Sequence, residues 1–156
     1  MKPKVLALTG CTASGKSGLA MKLAREYPME IVCMDSMQIY RRMDIGTAKP
    51  TAQEQALVPH HMLDVADPTE AYAVADYAVA AEQVIAQILS RGRVPILVGG
   101  TGLWMDALIR GHGFAGGHAG GEVRRELETR FDRDGIEPLL AELRQVDPES
   151  AARLHP

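Results

Sequence analysis

The chain has 156 residues, 46% of them apolar and 24% charged, which describes one globular domain with a core, or a domain with a small appendage, and excludes a disordered or fibrous chain. Aromatic residues make up only 4%, so the core must rest on aliphatic side chains, and a net charge of −3 supplies no bulk attraction to nucleic acid. Cys11 and Cys33 have no metal-site spacing and read as free thiols in a reducing compartment; the opening apolar run is too short for a signal peptide or membrane span. A cytoplasmic protein, with no membrane association, is expected.

In chain order, Val5 to Thr9 reads as a strand buried on both faces, ending at Gly10. Leu19, Ala20, Leu23 and Ala24 recur at helical spacing between Lys16 and Tyr27, and Pro28 stops the pattern. Ile31 to Met34 is a second buried strand, closed by Asp35. Thr51 and Glu54 form a capping-box pair at the start of a short helix, and Met62 to Val65 reads as a short extended piece. Thr69 to Ser90 is the longest helical signal. Pro95 to Val98 is a third buried strand, followed by Gly99-Gly100-Thr101-Gly102 and a helix to about Arg110. This alternation predicts a P-loop NTPase-like α/β fold, a parallel sheet with flanking helices. A core over 1–111 gives way to a Gly-rich linker over 112–121, then to two or three small helices over 122–156, with Pro138 and Pro148 at helix starts. His112 and His118 in the linker read as solvated residues rather than metal ligands.

Gly10-Cys-Thr-Ala-Ser-Gly-Lys-Ser17 fits G-x-x-x-x-G-K-[ST] between a strand and a helix, the context that motif needs. Gly10, Thr12, Ala13, Ser14, Gly15, Lys16 and Ser17 are therefore the expected phosphate site, and the loop alone does not say which phosphate it holds, a diphosphate or a nucleotide. Loop and helix N–H groups face an anion, Lys16 is a movable cation, and the Ser17 hydroxyl can hold Mg²⁺. An ATPase would carry an acid at the end of a further apolar strand, but the third strand ends in glycines. The strand-end acid is Asp35, which should face the ligand crevice as a base or a metal holder. A helix-capping role for Asp35 is the plainer alternative.

The stretches Asp35-Ser-Met-Gln-Ile-Tyr40 and Met43-Asp-Ile-Gly-Thr-Ala-Lys-Pro50 resemble the signature of the tRNA dimethylallyltransferases. Pro59-His-His-Met-Leu-Asp64, Tyr72 with Ala75 and Asp76, Val98-Gly-Gly-Thr-Gly-Leu103 and the tail from Val146 to Pro156 are similar to further blocks of that family. The resemblance implies an enzyme of tRNA modification that transfers a dimethylallyl group from its diphosphate to N6 of the adenosine 3′ to the anticodon. It implies Asp35 as general base, Thr101 near the reacting centre, and contacts to tRNA from Asp35, Ser36, Met37, Gln38 and Arg124. The implied partners are the anticodon stem-loop of tRNA and dimethylallyl diphosphate, the cofactor is Mg²⁺, and a monomer is expected. Thr101 would equally cap the next helix, and His60 and His61 would equally be hydrogen-bonded scaffold. The segment 122–156 has nine acidic against six basic residues, the balance of a solvated surface. The family's chains are about twice as long, and 156 residues end within its helical insertion, so the chain as given is expected to be incomplete for catalysis. The alternative is a P-loop kinase acting on a small molecule or nucleotide with bound ATP. A second alternative is a non-catalytic nucleotide-binding module in which Asp35 has no chemical role.

Overall fold

A computed structural model describes residues 5–110 and 121–154, so most of the 112–121 linker lies outside the described residues. The chain divides into two compact units, Met1–Phe114 and Ala115–Pro156.

In the first unit, β1 (Leu6–Thr9), α1 (Lys16–Glu26), β2 (Met29–Met34), α2 (Ala52–Leu57), β3 (His60–His61), α3 (Val74–Ser90), β4 (Val94–Gly99) and α4 (Gly102–Arg110) follow in order. The sheet order is β1-β4-β2-β3 and every pairing is parallel, with Leu6 beside Ile96, Ile31 beside Ile96 and Ile31 beside His60. The last strand therefore enters between the first two, and all strands point their C-terminal ends the same way. Ligand crevices of open α/β sheets form at that end.

The pleat sorts β2 cleanly. Val32 and Met34 pack with Leu97, Tyr77, Ile85, Ile88 and Trp104 on the α3–α4 face, whereas Ile31 and Cys33 pack with Ile96, Val98, Ala20 and Ala24 on the α1 face. Alanines let α1 approach closely. On the opposite face Tyr77 stacks on Trp104 at 4.1 Å, and its hydroxyl donates to the Cys33 carbonyl at 3.0 Å. These few aromatics therefore do the bulk filling in an otherwise aliphatic core.

Three expectations change. β1 is an edge strand rather than a strand buried on both faces, with Leu6 42% exposed, because β4 covers one side of it only. An apolar run cannot by itself distinguish a central strand from an edge. The extended piece expected at Met62 to Val65 is replaced by β3 at His60–His61, because Met62 and Asp64 adopt left-handed backbone, φ 62° and 54°, which ends any strand. The long helix begins at Val74 rather than Thr69: Thr69 and Glu70 are held in a turn on Asp67, and Asp76 accepts the Ala73 amide at 2.9 Å at the true helix start. The Thr51–Glu54 capping box forms as expected, with Glu54 N 3.2 Å from Thr51 Oγ1 and Thr51 N 2.8 Å from Glu54 Oε2.

At the opposite end of the sheet from the strand C-termini, Glu30 is a buried charge, 4% exposed. Its carboxylate meets His61 Nε2 at 2.6 Å, Arg91 at 2.8 Å and Arg93 at 3.2 Å, tying β2, β3 and the α3–β4 turn together. Burial pushes Glu30 up, but the hydrogen bonds from Arg91 and His61 outweigh it and hold the group below its ordinary 4.5. Burial holds His60 below its ordinary 6.5. Both groups take up protons more readily in the unfolded chain. Stability is thus complete above these ordinary values and is lost as pH falls, first through the His60 range and then through the Glu30 range. The melting temperature is expected to fall steadily from about pH 7 to about pH 4, and Glu30→Gln to flatten the lower part of that slope. Circular dichroism melts across this range check both.

The second unit holds α5 (Glu122–Asp134), α6 (Glu137–Val146) and α7 (Pro148–Arg153), with no strand among its described residues. Pro138 and Pro148 lie in the first turns of α6 and α7, and the Arg130–Glu142 ion pair at 2.5 Å links α5 to α6. Among the described residues, no helix is long and apolar enough to cross a membrane.

Candidate active site

The loop between β1 and α1 takes its shape from three left-handed residues, Gly10 at φ 151°, Ala13 at φ 64° and Gly15 at φ 84°. Gly15 is the N-cap of α1 and carries no side chain to satisfy the helix amides, so the first-turn N–H groups remain for an anion. Lys16 Nζ lies 2.8 Å from the Gly10 carbonyl and 2.6 Å from the Cys11 carbonyl, folded over its own loop. An anion in the loop competes directly for that ammonium.

A cavity of about 300 Å³ opens beside this loop. Thr12, Ala13, Lys16 and Ser17 form one side of it, and Asp35, Met37 and Gln38 another. Gly99 and Gly100, at the end of β4, complete the upper rim. Ala20, Ile31, Cys33 and Val98 give it an apolar floor, and Gly46, Thr47, Ala48, Pro50 and His60 close it. Burial, with the Asp35 carboxylate nearby, pushes the Cys33 thiol up to about 12, so it stays protonated and is no nucleophile.

Asp35 follows β2 directly and starts a tight turn: its Oδ1 accepts from the amides of Met37 at 2.9 Å and Gln38 at 3.4 Å. Among the described residues no donor is bonded to Oδ2. The carboxylate is thus oriented by its own backbone while one oxygen remains for a proton or a ligand. No helix follows for Asp35 to cap, since the next one is α2 at Ala52–Leu57; the side chain instead holds a turn and lines the cavity. Gln38 in turn donates Nε2 to the carbonyls of Thr47 at 3.0 Å and Ala48 at 3.1 Å, which joins the Asp35 turn to the far wall.

Of the residues expected from the sequence, Thr12, Ala13, Lys16, Ser17, Asp35, Met37 and Gln38 meet at one cavity. Gly10, Ser14 and Gly15 belong to the loop but not to the cavity wall, and Ser36 is also absent from the wall. Thr101 is likewise outside it; its carbonyl accepts the amides of Trp104 and Met105 in the first turn of α4. Arg124 lies in the second unit, where Nε pairs with Glu128 at 2.9 Å on an exposed helix face. His60, a wall residue, has Nδ1 2.8 Å from the Val58 carbonyl; a carbonyl can only accept, so Nδ1 carries the proton and donates it. The wall residues Cys33, Gly46, Thr47, Ala48 and Pro50 had no site role in the sequence reading. The turn-forming Gly46 and Pro50 were the available signal.

A parallel sheet whose first strand leads through a glycine loop into a helix opening with Lys and Ser defines a P-loop NTPase-like α/β protein. Its β4 rim carries glycines where an NTPase would place an acid. The chain belongs to the IPP transferase family, whose family model matches residues 38–156. It is 51% identical over its whole length to tRNA dimethylallyltransferase 1 of Trichlorobacter lovleyi, covering 51% of that protein. It is 49% identical to the tRNA dimethylallyltransferase of Deinococcus radiodurans over 97% of this chain and 49% of that one. Among solved structures, the full-length tRNA isopentenylpyrophosphate transferase of Bacillus halodurans aligns with a TM-score of 0.71 and 44% identity over 99% of this chain and 51% of that one. A eukaryotic dimethylallyltransferase acting on tRNA aligns with a TM-score of 0.79 and 28% identity over 99% of this chain and 38% of that one. The chain spans about half the length of the curated relatives it matches.

Proposed function

We propose that the cavity binds dimethylallyl diphosphate and serves transfer of the dimethylallyl group to N6 of the adenosine 3′ to a tRNA anticodon. The observation that carries this reading is the convergence of the phosphate loop, an oriented Asp35 and an apolar floor on one cavity whose β4 rim has no hydrolytic acid. The names of the relatives, tRNA dimethylallyltransferases, support it.

The diphosphate takes the loop amides and draws Lys16 off the Gly10 and Cys11 carbonyls. Ala20, Ile31, Cys33 and Val98 offer the five-carbon group a surface free of charge. As the N6–C1 bond forms, the C1–O bond to the diphosphate breaks and the amine proton passes to Asp35, while Lys16 takes up charge developing on the departing pyrophosphate. Ser17 supplies a hydroxyl oxygen at the cavity, a donor that suits a hard cation such as Mg²⁺ sharing diphosphate oxygens and water. When bound, that ion would neutralise leaving-group charge. The base must be flipped out of its stack to reach that carboxylate; Ser36, Met37 and Gln38 would flank it and Thr101 would lie near the reacting centre, while Arg124 would contact the tRNA elsewhere.

The test is Lys16→Met. Loss of the ammonium that caps the loop is expected to weaken pyrophosphate binding to the 156-residue chain by about 10- to 10²-fold, the worth of a charge-assisted pair at about 1.5–3 kcal/mol. Calorimetry reads it directly. Unchanged affinity would mean that the loop is not the anion site.

A further inference from the structure

Residues 41–50 belong to no helix or strand, and Gly46, Thr47, Ala48 and Pro50 among them line the cavity. Arg42 and Ala48 in this loop hold left-handed backbone, φ 64° and 52°. Non-glycine residues persist there only where their surroundings over-determine them. Lys49 ties this loop to the segments on either side of it. Its side chain is 4% exposed, and Nζ reaches the Tyr40 carbonyl, Asp44 Oδ1 and Asp64 Oδ1, each at 2.8 Å. An ammonium has three N–H donors, so all are used. The three acceptors come from the end of the Asp35 turn, from the loop itself, and from the segment after β3. Gln38 binds the same loop from the cavity side, and its own amide is held by Asp35. The result is one continuous set of bonds from Asp35 through Gln38 and the loop to Lys49 and Asp64.

We propose that Lys49 is a positioning residue, a buried ammonium that pins the wall residues Gly46, Thr47, Ala48 and Pro50 at a fixed distance from Asp35 and so sets the fit of whatever part of the ligand lies beyond its diphosphate. Lys49 itself lies outside the cavity wall and has no bond to the phosphate loop. Its effect therefore reaches the ligand only through the loop. This inference rests on the prenyl diphosphate reading of the cavity. Asp44 and Asp64 together outweigh the effect of burial and raise Lys49 above its ordinary value, so the ammonium stays charged throughout the neutral range.

The experiment titrates the 156-residue chain, Lys49→Met and Asp64→Asn with pyrophosphate and with dimethylallyl diphosphate. In Lys49→Met, pyrophosphate affinity is expected to stay within about twofold while dimethylallyl diphosphate weakens about tenfold, the equivalent of one misplaced contact surface. Asp64→Asn keeps an accepting oxygen, so the prenyl ligand should weaken only about two- to threefold. Equal weakening of both ligands would make Lys49 a general stabiliser and overturn the inference, as would no change in either. Should Lys49→Met fail to fold, Asp64→Asn decides by the same contrast. A wild-type chain with no preference for dimethylallyl diphosphate over pyrophosphate would sink the prenyl reading itself, and this inference with it. A preserved wild-type preference that the variants leave untouched sinks the inference alone.

Discussion

Asp35→Asn is expected to lower the rate of dimethylallyl transfer by about 10²–10⁴-fold, the usual worth of a positioned general base, while leaving pyrophosphate affinity within about twofold. The substitution is chosen for what it keeps. Asparagine Oδ1 can still accept from the Met37 and Gln38 amides, so the turn that links β2 to the Gln38–Thr47 contacts should hold its shape. What is lost is the negative charge and the second oxygen as a proton acceptor. Removing a carboxylate from the rim of an anion-binding cavity costs the diphosphate nothing in Coulomb terms. Single-turnover transfer, measured in a form of the protein that transfers, gives the rate, and calorimetry gives the affinity. Joint collapse of both would instead assign Asp35 to holding the cation, and normal turnover would remove it from the chemistry.

Gly99→Ala is expected to destabilise the first unit by about 3 kcal/mol, the upper range for forcing an atom into a packed core. Gly99 sits opposite Met34 where β2 and β4 end, and a Cβ there would overlap the Met34 carbonyl. That carbonyl is backbone and cannot rotate away as a long side chain would. The adjoining Gly100 is the control. A Cβ on it would meet the Gly10 carbonyl at 3.5 Å, an ordinary contact, so Gly100→Ala should stay within about 0.5 kcal/mol. With a urea m-value of about 2 kcal/mol/M, the Gly99 variant shifts the midpoint by about 1.5 M. Equal shifts for the two variants would contradict the close approach of β4 to β2.

What the sequence made legible were the elements with strong local signals. The continuous apolar runs of β2 and β4, the helical spacing in α1 and the capping box at Thr51 all formed close to where they were read. The phosphate loop was legible because its glycines, lysine and serine occur together in a strand–helix context. The place of Asp35 on the cavity wall was legible because strand C-termini of a parallel sheet line the crevice. The remainder depends on contacts between distant residues. Whether an apolar run such as Val5 to Thr9 is an edge depends on where β4 inserts, some ninety residues later in the chain. The wall formed by Gly46 to Pro50 depends on a lysine whose partners are Tyr40, Asp44 and Asp64, and on the left-handed turns at Met62 and Asp64 that bring the last of these into reach. The family resemblance marked that stretch as a signature, but only the bonds explain why a lysine and a glutamine are needed there. Thr101 was placed near chemistry by resemblance alone, and its visible contacts are those of a helix start.

The most direct test of the central claim is competitive calorimetry of the 156-residue chain with dimethylallyl diphosphate and ATP in the presence of Mg²⁺. Dimethylallyl diphosphate is predicted to bind at least about tenfold more tightly, because the floor made by Ala20, Ile31, Cys33 and Val98 suits a small hydrocarbon next to the anion loop. A preference for ATP of the same size would contradict the account and assign the cavity to a nucleotide.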